Sequence, residues 1–240
     1  MRTTRLGKIL LMAFALPFVF WACDDDDAPL EFEVYADAFV MKKVIDNEVK
    51  YGVSYFAYGN KSISSATVTP PAGEPFELVV SEESAFTFLK ETSEEEFVSS
   101  LPQNGSYLFD VESKDGETVQ VTEVVENGTL EIPVITETTY HSEDATMTVE
   151  WEESENADGF VVRLLDDEGK VKFLSYALNP TVDEFNINSS SGSWANQAYS
   201  GDELTLQLQA FTYEADVPQE ELVYSIKEIS VAETQVTWGQ

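Results

Sequence analysis

One thiol, Cys23, and one imidazole, His141, stand among 45 carboxylates in this 240-residue chain. That inventory bounds the chemistry. A zinc site built from Cys and His is excluded, because such a site needs several of these ligands. No internal disulfide can form from a single cysteine. His141 has no Ser-x-Gly elbow to serve as general base, so it reads as a surface histidine rather than part of a serine triad. Carboxylate neighbours such as Glu152-Glu153 and Glu220-Glu221 arise from composition alone, and adjacent residues of a strand point to opposite faces. Nothing marks a glycosidase pair among them. Asp166, Asp167 and Glu168 offer oxygen ligands for calcium, but with Gly169 they read first as a hairpin turn. No Gly-rich phosphate loop and no EF-hand spacing occurs. The expectation is a non-enzymatic chain without cofactor or metal.

Residue types suited to binding cluster in one stretch, Asn188 to Tyr199. Trp194 sits there among Ser, Gly and Asn residues, where turn formation needs no large aromatic ring. With Asn196, Gln197 and Tyr199 it forms the candidate ligand-binding set. Aromatic rings stack on sugar faces while amides bond hydroxyls, and Trp and Tyr also anchor protein interfaces. The third reading has Trp194 folding back to cap the end of a sandwich. A second aromatic set, Tyr51, Tyr55, Phe56 and Tyr58, alternates faces along one strand, and cross-strand packing accounts for most of it.

Cys23 has its own context. A basic start (Arg2, Arg5, Lys8) precedes an apolar run from Ile9 to Ala22 that is interrupted by Pro17. The run is shorter than the roughly 20 residues a spanning helix needs, and its order is that of a secretory signal. Small Ala22 marks the cleavage position, and a cysteine directly after the cut is the residue whose thiol receives diacylglycerol in a bacterial lipoprotein. Phe20-Trp21-Ala22 departs from the usual lipobox, which prefers Leu first and a small residue second. After the cysteine, Asp24-Asp25-Asp26-Asp27 form a solvated acidic tether. Residues 1–27 thus resemble the lipoprotein export signal of Bacteroidota. The resemblance implies lipidation of Cys23 and an outer-membrane address on the extracellular side, with the aspartates as export signal.

The removed segment holds three of the 13 basic residues and no acidic ones, so the mature chain is more acidic than the net −32 of the whole. Such a surface repels phosphate backbones and anionic lipid, which excludes nucleic acid as a partner. A hydrophobic content of 43% with 12% aromatics supplies a packed core.

After Pro29 the pattern is almost entirely strand. Val49 to Tyr58 and Ala66 to Thr69 precede the Pro70-Pro71-Ala72-Gly73 turn, which forbids further pairing. Tyr107 to Val111 and Thr118 to Val121 flank Lys114-Asp115-Gly116-Glu117, a hairpin signal. Ser93-Glu94-Glu95-Glu96 reads as a capping box opening a short helical turn, with Phe97 and Leu101 plugging a sheet edge before Pro102. Ala145 to Trp151, Gly159 to Leu164, Val171 to Tyr176 and Leu204 to Ala210 follow, the last alternating strictly. Leu222 to Ile229 and Val231 to Trp238 end the chain as two further runs. Short strands and frequent turns predict an all-β fold of sandwiches.

Val149-Glu150-Trp151, Ala157-Asp158-Gly159-Phe160-Val161-Val162 and Leu204 to Ala210 together resemble a fibronectin type III domain. The resemblance implies that Trp151 and Phe160 pack in a core, and it departs from the family between Ile187 and Leu204, where an insertion replaces a short loop. Residues 31–132 are similar, more loosely, to immunoglobulin-like modules. The expected organisation is a signal peptide (1–22), an acidic tether (23–30), an Ig-like β-sandwich (31–132) and a fibronectin type III-like β-sandwich (133–240). Two functions compete. One is a carbohydrate-binding accessory protein of a glycan-uptake system, and the other is a structural or adhesive module that contacts proteins.

Overall fold

The computed structural model describes residues 30–81, 84–215, 217 and 225–239. The signal segment, Cys23 and Asp24 to Asp27 lie outside the described residues, as do the pair Glu220-Glu221 and the start of the run from Leu222, Leu222 to Tyr224. The first half contains β1 (Val34–Ile45), β2 (Glu48–Gly59), β3 (Ile63–Thr69), β4 (Phe76–Glu77), β5 (Val79–Ser81) and β6 (Ser84–Lys90). A 3-10 turn (Glu94–Glu96), β7 (Gly105–Ser113) and β8 (Thr118–Val125) complete it. The second half runs through β9 (Ile135–His141), β10 (Thr146–Trp151), β11 (Gly159–Leu165) and β12 (Val171–Ser175). It continues with β13 (Glu184–Ile187), β14 (Gly192–Trp194), β15 (Glu203–Tyr213) and β16 (Ile226–Thr237). The chain is all-β, built as β-sandwiches.

Among the described residues the strands form three sheets. A nine-stranded sheet has the order β14-β12-β11-β15-β16-β1-β2-β6-β5, and β13-β10-β9 and β4-β3-β7-β8 form two smaller ones. One hydrophobic core lies between β4-β3-β7-β8 and the large sheet, with Ala36, Ala38, Val40, Tyr55, Val68 and Phe109 inside it. The other lies between β13-β10-β9 and the large sheet, around Trp151, Phe160, Val162, Phe173, Leu206 and Leu208. Trp151 and Phe160 pack with ring centroids 5.4 Å apart, as the fibronectin type III resemblance implies.

The two sandwiches share a sheet as well as a linker. β1 pairs in parallel with β16, Val40 opposite Glu228 and Lys42 opposite Ser230. Ser230 lies opposite Ala210 on β15. Directly paired residues project to the same face, so both cores sit on one side of the nine-stranded sheet. All the strands and both cores fall within a compact unit, Phe32–Gln240, which therefore carries what it needs to fold.

Turn chemistry explains the hairpins. Asp46 and Asn47 take φ of 55° and 62°, which suits a two-residue turn between β1 and β2. Gly116 takes φ of 83° at the expected β7–β8 turn. Two local expectations change. The turn at Glu94–Glu96 buries Phe97, but Leu101 is 55% exposed and plugs nothing. Ser93 N–H donates to Glu96 Oε2 at 3.0 Å, yet a single 3-10 turn is too short to bring a residue four positions on from Phe97 back to the sheet. At the C-terminus, Ile226–Thr237 is one uninterrupted strand where two runs were expected, because it lies between β15 and β1 and pairs with both.

Candidate functional site

The insertion after β13 becomes a short edge strand. β14 pairs with β12, setting Trp194 opposite Phe173. The Trp194 ring lies 4.9 Å from Phe173 and 5.4 Å from Trp238, half-buried against the second core. Its Nε1–H donates to the Asn188 carbonyl at 2.9 Å. The indole therefore folds back over the end of the sandwich, and one edge remains at a shallow pocket of about 130 Å3. Gln197, Ala198, Ser189, Ala145 and Trp238 complete that pocket. Of the candidate set, Trp194 and Gln197 come together. Asn196 and Tyr199 are exposed, Tyr199 at 73%, and neither lines the pocket.

Other candidates resolve into structure. His141 is exposed, its Nε2 3.0 Å from Thr148 Oγ1. Asp166 Oδ1 accepts the amides of Glu168 and Lys170, and Lys170 pairs with Glu168, which makes this stretch the hairpin turn. Among the described residues no group of three His, Cys, Asp or Glu is placed to hold a metal ion. Tyr55 is buried against Phe76 and Tyr107, while Tyr51, Phe56 and Tyr58 are half-buried.

Two features escape sequence reasoning. At the seam between β1 and β16, the buried Glu228 carboxylate accepts the Leu130 amide at 3.0 Å and lies 3.9 Å from Lys42 Nζ. Lys42 Nζ donates to the Leu130 carbonyl at 2.6 Å, and Ser230 Oγ donates to the same oxygen at 3.2 Å. Both backbone groups of Leu130 are thus held by side chains of the seam, while its own side chain enters the second core. The other feature is the edge of β9, which pairs only with β10 among the described strands. Beside it runs an open groove of about 660 Å3, lined by Ile135, Thr136 and Thr138 of β9, Ala232 and Thr234 of β16, and Val44.

No protein-family model matches the chain, and no curated protein does. Among solved structures, a two-domain fibronectin type III segment from chicken tenascin is 11% identical, covering 85% of this chain and 99% of its own, at a TM-score of 0.29. The BSP domain of a biofilm-associated protein is 15% identical, covering 86% of this chain and 30% of its own, at a TM-score of 0.25. Neither superposes closely enough to carry an argument about this chain.

Acidity concentrates near the start of the seam. Asp37 is 2% exposed, and its Oδ2 accepts the Ile226 amide at 2.8 Å while Oδ1 has no partner. Burial, reinforced by Glu123 and Glu214, pushes its carboxyl up to about 8 against the lowering pull of that amide. Burial and then Glu214 push Glu123 up to about 7. Glu214 is raised as well, by burial first and by Glu126, against the opposing charge of Lys227.

Proposed function

We propose that the chain is a non-enzymatic module of the structural or adhesive kind, lipid-anchored through Cys23 at the outer face of the outer membrane, which contacts protein partners by accepting a strand at β9. The observation that carries this reading is the pairing of an open strand edge with a groove alongside it. An extended segment laid in the groove would add to β9 as a fourth strand of its sheet, with main-chain hydrogen bonds giving affinity and the floor at Ala232 and Thr234 selecting small side chains. A photo-cross-linking residue at Thr136, on the full-length protein in cells, should capture a discrete partner protein. The capture should disappear when Thr138→Pro is added, because proline cannot join the new ladder. Absence of any adduct from Thr136, or an adduct indifferent to the proline, would reject strand addition.

A second reading, a carbohydrate-binding accessory protein of glycan uptake, is favoured by one observation. Tyr199 projects into solvent near the pocket of Trp194, Gln197 and Trp238. Retardation of the chain by one polysaccharide class, reduced at least about tenfold in affinity by Tyr199→Ala, would support it. Unchanged mobility against plant, host and microbial glycans would remove it.

A further inference from the structure

The face of the nine-stranded sheet turned away from both cores carries a groove of its own. Two cavities of about 430 and 170 Å3 adjoin there and share Glu91, Arg163, Gln209 and Ile229. Strand register puts these residues in place. Arg163 lies opposite Gln207 between the core positions Val162 and Leu164, and Phe211 lies opposite Ile229. The larger cavity is mainly apolar, walled by Val161, Leu174, Phe211, Tyr213 and Ile226.

Arg163 is the only arginine in the sequence beyond Arg5. It is half-buried, and its Nε is shielded from solvent without a hydrogen-bond partner. Among the described residues it makes no ion pair. Glu91 stands exposed on both cavities and is not paired with it, and Glu233 is engaged by Lys43 at 3.5 Å and by Gln207 at 2.7 Å. Beside the guanidinium, Gln209 is 8% exposed and spends its amide on a long 3.5 Å contact to Gln207. Held in a groove where the described residues give it no acceptor, the guanidinium lacks the partner its geometry suits best, a carboxylate reached by two parallel N–H donors.

We propose that this groove binds a small apolar carboxylate, with the acid group on Arg163 and the hydrocarbon body along Phe211, Ile226 and Ile229. Three features select that class. The larger cavity is the size of a single small-molecule ligand. Its walls disfavour strongly hydrated dianions such as phosphate. The net charge of −32 disfavours polyanions, leaving a monoanion whose binding gains from burial of its apolar part. The site is separate from the β9 edge and does not depend on the function proposed there.

The test is calorimetric titration of residues 28–240, which include the whole Phe32–Gln240 unit, with decanoate and with decanol. Wild type should bind decanoate at least about tenfold more tightly than decanol, the preference expected of a charge-assisted hydrogen bond. Arg163→Gln should abolish that preference while leaving decanol affinity and the melting temperature unchanged, and Arg163→Lys should keep part of it. Equal affinity of wild type for acid and alcohol would overturn the proposal. So would decanoate binding unaffected by Arg163→Gln, or no decanoate binding at about 1 mM. If Arg163→Gln fails to fold, the wild-type comparison and Arg163→Lys decide.

Discussion

Glu228 shows how much can rest on one side chain. Its carboxylate meets the Leu130 amide and the Lys42 ammonium in a buried seam, and a Cβ at Gly128 would collide with it. Glu228→Ala should destabilise the chain by about 1–3 kcal/mol in urea unfolding, because the buried Leu130 N–H loses its acceptor and Lys42, still bonded to the Leu130 carbonyl, loses its counter-charge. Gly128→Ala should act through the same contact, forcing the carboxylate out of place, and the two together should cost less than their sum. Trp194 is the contrasting case. Its type and polar surroundings in the sequence left folding back, sugar stacking and protein contact all open. The neighbours that hold it, Phe173 and Trp238, are distant along the chain, and no local pattern announces that they meet. The only sign of Arg163 was its rarity, since a lone arginine in a strand is ordinary until its surroundings are seen to lack an acceptor.

At the scale of elements, alternation and turn chemistry carried most of the strand pattern. Leu204 to Ala210 and the Asp115-Gly116 hairpin appear in the structure where periodicity and the glycine predict them. The parallel pairing of β1 with β16 had no such signature, because its partners come from opposite ends of the described chain and each strand also has an antiparallel neighbour of its own. The insertion after Ile187 likewise hid an edge strand, since three residues are too few to show a period. The shared sheet has a thermodynamic consequence. Two sandwiches joined by a linker alone would unfold separately, whereas loss of either core here strips a face from the same sheet. Calorimetry of residues 28–240 should show one transition, with calorimetric and van't Hoff enthalpies agreeing. Amides of β1 and β16 should exchange most slowly. Two resolved transitions would contradict this coupling.

Over the whole molecule, stability should follow proton uptake by a few buried acids more than the many exposed ones. Asp37, pushed up to about 8, and Glu123, pushed up to about 7, hold their protons in the folded chain across a range where the unfolded chain has released them. Folding therefore takes up protons between about pH 4 and 8, and stability falls as pH rises through that window. Glu96 acts in the opposite sense. Its hydrogen bonds from Lys90 and then the Ser93 amide hold it low, so its contribution is lost as pH falls below the ordinary carboxylate range. Asp202, held low by the Tyr199 amide and then Lys172, loses its contribution in the same direction. The melting temperature should then peak near about pH 4 and drop by several degrees toward pH 8. Mutual repulsion among surface carboxylates predicts a drop of the same sign, but it is screened at about 1 M salt, whereas the burial of Asp37 is not. Asp37→Asn keeps an oxygen for the Ile226 amide and removes the ionisation. It should raise the melting temperature most at pH 8, leave it nearly unchanged at about pH 4, and flatten the slope that survives in high salt. An Asp37→Asn slope equal to that of wild type in high salt would mean that the pH dependence comes from other groups.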